Sequence, residues 1–533
     1  MKRYTQVALL ILLVALNCVI CRPKPPVVIE PKNPNDPVGL PSGKAKSVLI
    51  VGGGLAGLSA ALELSERGYN VTIREASNVL GGRLATYTRS PVCNSTSLCD
   101  KYLLNKEYDI EHGFHAWFHS YFTFKDIIQR LDAGKYFRPW EKVDFVFRNY
   151  KPEQIYSSGP YPLNLLGIIW RSKNIKWSDA FSVRNCRDDM QYFNYTNIYD
   201  RYDHMTFDEW IEFRKVSVAF ADIILKPSVS VTLNERKVFS AAEMLLYVYY
   251  YFLESEKADK REILTTSFKN AIISPWEQKL KKSNVKILLN SPVKMLRFDN
   301  NRIVGDETEI AYDNVVLSAD LPAIKNIMSN SVGTDDVSLD KLREPILRLA
   351  VAPHYKVMRV WFSGLPKEGT PDILETPDYQ PINLVAQYHQ LESEFVQWSA
   401  STGGSVMEFH LYTWEGPQDI NEAQVWNRIS STVYQILPEM KQHKVIAYTV
   451  YGYQNFPSFK AGQEKFRPMV HTPTLHGINN FYYAGDWLHT VHPSALMERA
   501  VSTGRIAANE ILLKDKVRQV PMTVLSGIGP GMI

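Results

Sequence analysis

The stretch Lys46–Glu75 constrains the fold more than any other part of this chain. It opens on an apolar run, Val48–Val51, and turns through Gly52, Gly53, Gly54, Leu55, Ala56 and Gly57. A helical pattern follows, with Leu58, Ala61, Leu62 and Leu64 on one face, and a short strand, Val71–Ile73, leads to Glu75. Strand, GxGxxG, helix, strand and acid stand in the order of a dinucleotide-binding βαβ unit. Gly52 permits the tight turn, Gly54 lets the backbone approach a pyrophosphate, and Gly57 lets helix and strand pack closely. The helix start offers free N–H groups and a partial positive charge to phosphates. Glu75 lies 18 residues past Gly57, where a carboxylate accepts hydrogen bonds from an adenosine ribose and repels a 2′-phosphate. That disfavours NADP.

At 533 residues the chain exceeds the size of one core, so two domains are expected. Its net charge of +4 is nearly balanced and carries no nucleic-acid footprint. Lys2 and Arg3 precede an apolar run from Val7 to Leu16, then Cys18 and Cys21. This reads as a signal peptide over residues 1–21, with an uncleaved signal anchor as the alternative. The run is shorter than the ~20 residues of a spanning helix. The expected location is the secretory pathway, either secreted or in an endomembrane lumen. In an oxidising compartment Cys93 and Cys99, which flank a short polar loop, are expected to pair, leaving Cys186 over. Asn94 and Asn194 sit in glycosylation acceptor motifs. Residues 22–44 are proline-rich and read as an extended linker; residues 516–533 read as a flexible tail.

The middle of the chain, 117–253, is crowded with aromatics. Thr206–Glu209 and Ser240–Glu243 both read as capping boxes. The second opens a helix through Leu253 that is apolar nearly all round, hence buried or against lipid. Strands are expected within 285–320, at Lys356–Phe362 and at Val445–Tyr451. Phe481–Tyr483 precedes Ala484-Gly485-Asp486, and a last helix is expected over Ala495–Leu513.

An N-terminal GxGxxG, the later Gly81-Gly82-Arg83, and a C-terminal strand-Ala-Gly-Asp before an amphipathic helix resemble the flavin-containing amine oxidase and carotenoid desaturase superfamily. Residues 111–122 and 493–512 look most like its carotenoid branch. The resemblance implies an α/β fold: a discontinuous Rossmann-like FAD-binding domain with an inserted α+β substrate domain. On this chain the FAD-binding parts would fall at 45–118, 235–320 and 475–515, and the substrate parts at 119–234 and 321–474. It also implies noncovalent FAD, held by Gly52, Gly54, Leu55, Ala56 and Gly57 at the pyrophosphate and by Glu75 and Ala76 at the ribose. Gly82 and Arg83 would reach the phosphates or flavin, and Gly113, Phe114 and His115 would pass near the flavin. Val293 would meet the adenine, and Gly485 and Asp486 the ribityl or phosphate. The helix start at Met497 would face the isoalloxazine, where its dipole stabilises the anionic reduced flavin.

No catalytic residue is assigned from sequence. Lys356, in the strand where amine oxidases place a lysine, and His489 and His492, beside the last helix, are the candidates. His112, His115 and His119 share a helical spacing, but Gly113 argues against a helix there, so no metal is assigned. The reading favoured is hydride removal from an apolar, isoprenoid- or lipid-like substrate, with oxygen or a quinone as electron acceptor and a peripheral membrane contact. One alternative is a secreted amine oxidase producing hydrogen peroxide. Against it, Leu496 stands where such enzymes carry an aromatic residue, and no cysteine lies near the C-terminal motif for covalent flavin. The other alternative is a flavin-dependent isomerase or a non-catalytic flavin-binding protein.

Overall fold

The computed structural model describes residues 22–103, 106–161, 163–227, 232–334, 336–494 and 496–531. The signal-peptide segment and Ala495 lie outside the described residues. Ten elements frame the site: β1 (Ser47–Val51), α1 (Leu55–Ser65), β2 (Asn70–Arg74), β3 (Lys286–Leu288), β4 (Asn314–Leu317), β5 (Tyr355–Phe362), β6 (Ser405–Leu411), β7 (Val445–Tyr453), β8 (Phe481–Tyr483) and α2 (Met497–Lys514).

The first sheet is five-stranded and parallel, in the order β3-β2-β1-β4-β8. Its centre, β1 and β4, is apolar on both faces and almost wholly buried, as a strand covered on both sides must be. Three distant parts of the chain supply it, and the fold is a discontinuous Rossmann-like α/β unit. Helix α1 is buried along all eleven residues. Helix α2 crosses it so closely that a Cβ at Gly504 would lie 2.1 Å from the Ala56 carbonyl oxygen. Ser59 Oγ donates to the Val501 carbonyl at 2.8 Å, and Glu63 receives Arg505 at 2.9 Å and Arg130 at 2.6 Å. Only small residues allow this crossing, and it seats the last helix against the first glycine turn.

The second sheet has eight strands, with β6-β5-β7 antiparallel at its heart. All eight residues of β5 are buried, because both faces of the sheet are covered. Strand alternation sends Met358, Val360 and Phe362 to one core and Tyr355 and Val357 to another. The 240–253 segment lies in the protein core, not against lipid. Its start differs from the capping-box expectation. Ser240 accepts from the Glu243 amide, but the Glu243 carboxylate does not turn back; it is taken by Tyr199 at 2.6 Å and the Ser494 amide at 2.5 Å. Thr206–Glu209 forms the full reciprocal box.

Linker and tail also differ from expectation. Val27–Ile29 pairs antiparallel with Met522–Val524, and the Gly529 amide donates to the Phe193 carbonyl at 2.7 Å. The three linker residues between prolines offer an open strand edge, and the tail satisfies it. Cys93 and Cys99 are joined in a disulfide and Cys186 is free and buried. The polar loop between the paired cysteines is mostly helix, Thr96–Tyr102. No helix of the described residues is long and apolar enough to cross a membrane.

Candidate active site

A cavity of about 560 Å³ runs along the carboxyl ends of the parallel sheet. The glycine turn forms its floor, with Gly52, Gly54, Leu55 and Ala56 facing it. Gly52 has φ +104°, which only glycine adopts freely. The first turn of α1 has no side-chain cap, so its N–H groups are left for an anion. The GGR loop closes over this turn: Gly81 N donates to Gly53 O at 2.9 Å, and a Cβ at Gly82 would lie 3.1 Å from Gly54 Cα. Gly57 does not line the cavity. A Cβ there would meet Gly52 O at 2.1 Å, so its part is the close packing of helix on strand.

At one end stand Glu75, Ala76 and Val293. The Glu75 carboxylate orders the turn by accepting from Gly53 N at 2.7 Å and Ser77 N at 2.8 Å. Arg74 fastens the Val293 segment beside it, donating to Pro292 O at 2.8 Å and pairing with Glu307 at 2.6 Å. At the other end Arg83 pairs with Asp486 at 2.6 Å and stacks on Phe456, 4.2 Å from the ring centre. Gly485, Asp486, His115 and Met497 complete this end. The donor set suits a dinucleotide throughout: backbone N–H groups and a helix start for the pyrophosphate, a carboxylate for a ribose diol, and glycines where a side chain would fill the groove.

A second, smaller cavity of about 140 Å³ lies against the first and shares His115, Phe456, Leu496 and Met497 with it. Gly113 and Phe114 border it, and so do Tyr355 and Val357 of β5. Gly113 has φ +119°, and a Cβ there would sit 2.9 Å from His410 Cε1. The walls are mainly aromatic, including Phe118, Trp140, Tyr251 and Tyr412. Polar groups enter at His410, Arg261 and Glu375.

His410 belongs to a buried network that sequence reasoning missed. Its Nε2 lies 2.8 Å from Glu408 Oε1 and its Nδ1 lies 3.1 Å from the Tyr412 hydroxyl. Glu408 Oε2 takes Arg359 at 2.7 Å, and Phe114 N donates to Oε1 at 3.0 Å. Burial pushes the Glu408 carboxyl up, but Arg359 and His410 outweigh it and hold it at about 2. This arrangement assigns the Nε2–H tautomer to His410, with the Tyr412 hydroxyl donating to Nδ1. His115 is pushed down to about 4 by burial, and its Nδ1 faces Gly113 O at 2.7 Å.

None of the three catalytic candidates lines either cavity. Lys356 sits one residue from Tyr355 and Val357, hence on the opposite face of β5, where its Nζ donates to Gln418 O at 2.9 Å. His489 is engaged by Glu464 and by the Tyr195 hydroxyl at 2.8 Å. His492 is buried, 3.2 Å from Thr490 Oγ1, and burial pushes it down to about 3. His112 meets the Tyr355 hydroxyl at 2.7 Å. Among the described residues no group of three or more His, Cys, Asp or Glu side chains is set to hold a metal ion.

The fold and the groove define a dinucleotide-binding protein with a separate, aromatic chamber beside the groove. The chain belongs to the flavin-containing amine oxidoreductase family, whose model matches residues 55–512. It is similar to the carotenoid phi-ring synthase of Chlorobaculum tepidum, at 24% identity over 90% of each chain. The enzyme of the same name from Streptomyces griseus is 26% identical, again over 90% of each. Among solved structures, reduced UDP-galactopyranose mutase superposes with a TM-score of 0.59 at 15% identity, covering 88% of this chain and 96% of that one; this likeness shows the fold alone. The chain is an FAD-dependent oxidoreductase, and the lining of the first cavity fits that dinucleotide.

Proposed function

We propose that the protein removes hydride from an apolar isoprenoid substrate, leaving a carbon–carbon double bond. The observation that carries this is the aromatic chamber meeting the cofactor groove at His115, Phe456, Leu496 and Met497. Its volume takes one end of an isoprenoid rather than a whole long chain. The carotenoid-modifying relatives support the substrate class. Bound FAD supplies the acceptor for two electrons and one hydrogen.

The protein's own residues position the substrate and take the remaining proton. Loss of hydride from one carbon makes a neighbouring C–H acidic. Its proton passes to the Tyr412 oxygen while the Tyr412 proton moves to His410 Nδ1. Glu408, ionised and 2.8 Å from Nε2, stabilises the imidazolium that forms. Phe114 and Trp140, ring edge to face at 5.5 Å, keep water from the cation.

The electrons then leave to oxygen or a quinone. The protein works in an oxidising compartment of the secretory pathway, a placement supported by the Cys93–Cys99 bridge. It meets a membrane surface through exposed Leu163, Trp170, Phe181, Phe213 and Val218. The segments carrying Trp170, Phe181 and Val218 adjoin: Trp170 packs on Trp177 at 6.1 Å, one turn before Phe181, and Ser217 N donates to Ser182 Oγ at 2.9 Å. The test is the mass of the product formed from an isoprenoid by the FAD-loaded enzyme. A product lighter by two hydrogens is expected. A rearranged product of unchanged mass, formed only with reduced flavin, would make the enzyme an isomerase.

A further inference from the structure

The aromatic chamber is lined by two charged side chains that feel each other's charge but share no hydrogen bond or ion pair. Glu375 is 7% exposed at the end of the strand Ile373–Glu375, and its carboxylate lines the cavity. Its backbone carbonyl accepts from Val146 N, but among the described residues the carboxylate has no hydrogen-bond or ion-pair partner. Arg261 enters from the strand Arg261–Leu264, wedged between the rings of Trp140 at 4.9 Å and Phe118 at 5.5 Å. Its Nε donates to Asp259 O at 3.1 Å; its two terminal nitrogens have no acceptor among the described residues. Neither residue borders the FAD cavity, and they are not ion-paired with each other.

Leaving the buried Glu375 carboxylate without a hydrogen bond is costly, and the half-buried Arg261 keeps its terminal N–H groups unpaired as well. A chamber meant only for hydrocarbon would be better built without them. A ligand hydroxyl entering the chamber offers a partner to either group. An alcohol oxygen accepts from the guanidinium and donates to the carboxylate. An ammonium would be drawn to Glu375 but repelled by Arg261, whose charge is permanent. Burial pushes Glu375 up to about 7 against the pull of Arg261, which weakens its hold on an ammonium.

We propose that Arg261 and Glu375 form a polar subsite that holds a hydroxyl on the substrate's end group, so that the physiological substrate is an oxygenated isoprenoid rather than a pure hydrocarbon. This rests on the isoprenoid reading given above and deepens it. The subsite fixes how far the chain enters, and so which C–H bond lies beside the flavin.

The test is calorimetric titration of the FAD-loaded protein with three ten-carbon probes: geraniol, geranylamine and the hydrocarbon that lacks the oxygen. Geraniol is expected to bind about 10-fold to 100-fold more tightly than the hydrocarbon, one satisfied hydrogen bond to each charged group setting the scale. It should also bind more tightly than the amine. In Glu375→Leu and in Arg261→Met the preference for the alcohol should collapse while the FAD spectrum is retained. Because the comparison of probes is made on the unaltered protein, it holds even if a variant fails to fold. Equal binding of alcohol and hydrocarbon would overturn the subsite and leave the isoprenoid reading standing. Tightest binding by geranylamine would overturn the subsite and favour amine oxidation. Binding of none of the three would contradict the isoprenoid reading itself.

Discussion

Replacing Gly57 by alanine separates the packing role of that glycine from a cofactor role. The new Cβ would lie 2.1 Å from Gly52 O, 2.7 Å from Ser318 Oγ and 3.0 Å from Ile50 Cγ2. A carbon and a carbonyl oxygen approach to about 3.3 Å without repulsion, so the start of α1 must retreat by roughly 1.2 Å. Ser318 has no easy escape, since its hydroxyl is held by Val51 O at 2.9 Å and Gly52 O at 3.1 Å. Overpacking of this kind costs about 1–3 kcal/mol, and backbone on one side places it in the upper half of that range. The same retreat carries the Leu55 and Ala56 N–H groups away from the pyrophosphate. A charge-assisted hydrogen bond lost there is worth about 1.5–3 kcal/mol, so FAD affinity should fall by about 10-fold or more. The assay pairs denaturant unfolding of the FAD-free protein with FAD titration followed by flavin fluorescence. Both quantities should fall together. Unchanged stability with weakened FAD would mean that Gly57 meets the cofactor directly, and unchanged values of both would refute the packing argument.

Three further outcomes follow from the same geometry. Glu75→Ala removes the acceptor for the Gly53 and Ser77 amides as well as the ribose contact, so purified protein should lose FAD on dialysis where the parent keeps it; absorbance ratios check this. His410→Gln should lower kcat by about 10²-fold with flavin content and KM little changed, because it removes the proton acceptor and leaves the walls, and steady-state kinetics across pH report it. Stability should fall in mild acid. His115 and His492 are neutral when folded, with pKa values pushed to about 4 and about 3, while the unfolded chain takes protons below about 6.5. Their contribution is therefore complete above pH ~6.5 and is lost as pH falls, the loss reaching about 2 kcal/mol each by pH ~5, which thermal melts with the two histidines replaced by glutamine would show.

The cofactor half of the site was legible in the sequence because its chemistry is local. A turn through Gly52, a helix start at Leu55 and an acid at Glu75 are neighbours along the chain as well as in space. Most of the other residues lining the groove were pointed to by resemblance, and the Gly81-to-Gly53 hydrogen bond shows how the two glycine motifs join. The substrate half was not legible. Arg261, Glu375 and His410 come from three strands in two sheets, and no spacing marks them. Lys356 shows the limit from the other side: an offset of one residue along β5 exchanges the cavity face, held by Tyr355 and Val357, for the opposite one. The glycines and prolines of the tail predict a loose end, yet three residues, Met522–Val524, find a partner strand almost five hundred positions earlier.

Anaerobic mixing of the FAD-loaded protein with a panel of polyenes, sterols and amines tests the central claim most directly. Bleaching of the flavin's visible absorption by isoprenoids, with amines inert, is the predicted result. Bleaching by amines alone, or no flavin spectrum after reconstitution with FAD, would contradict it.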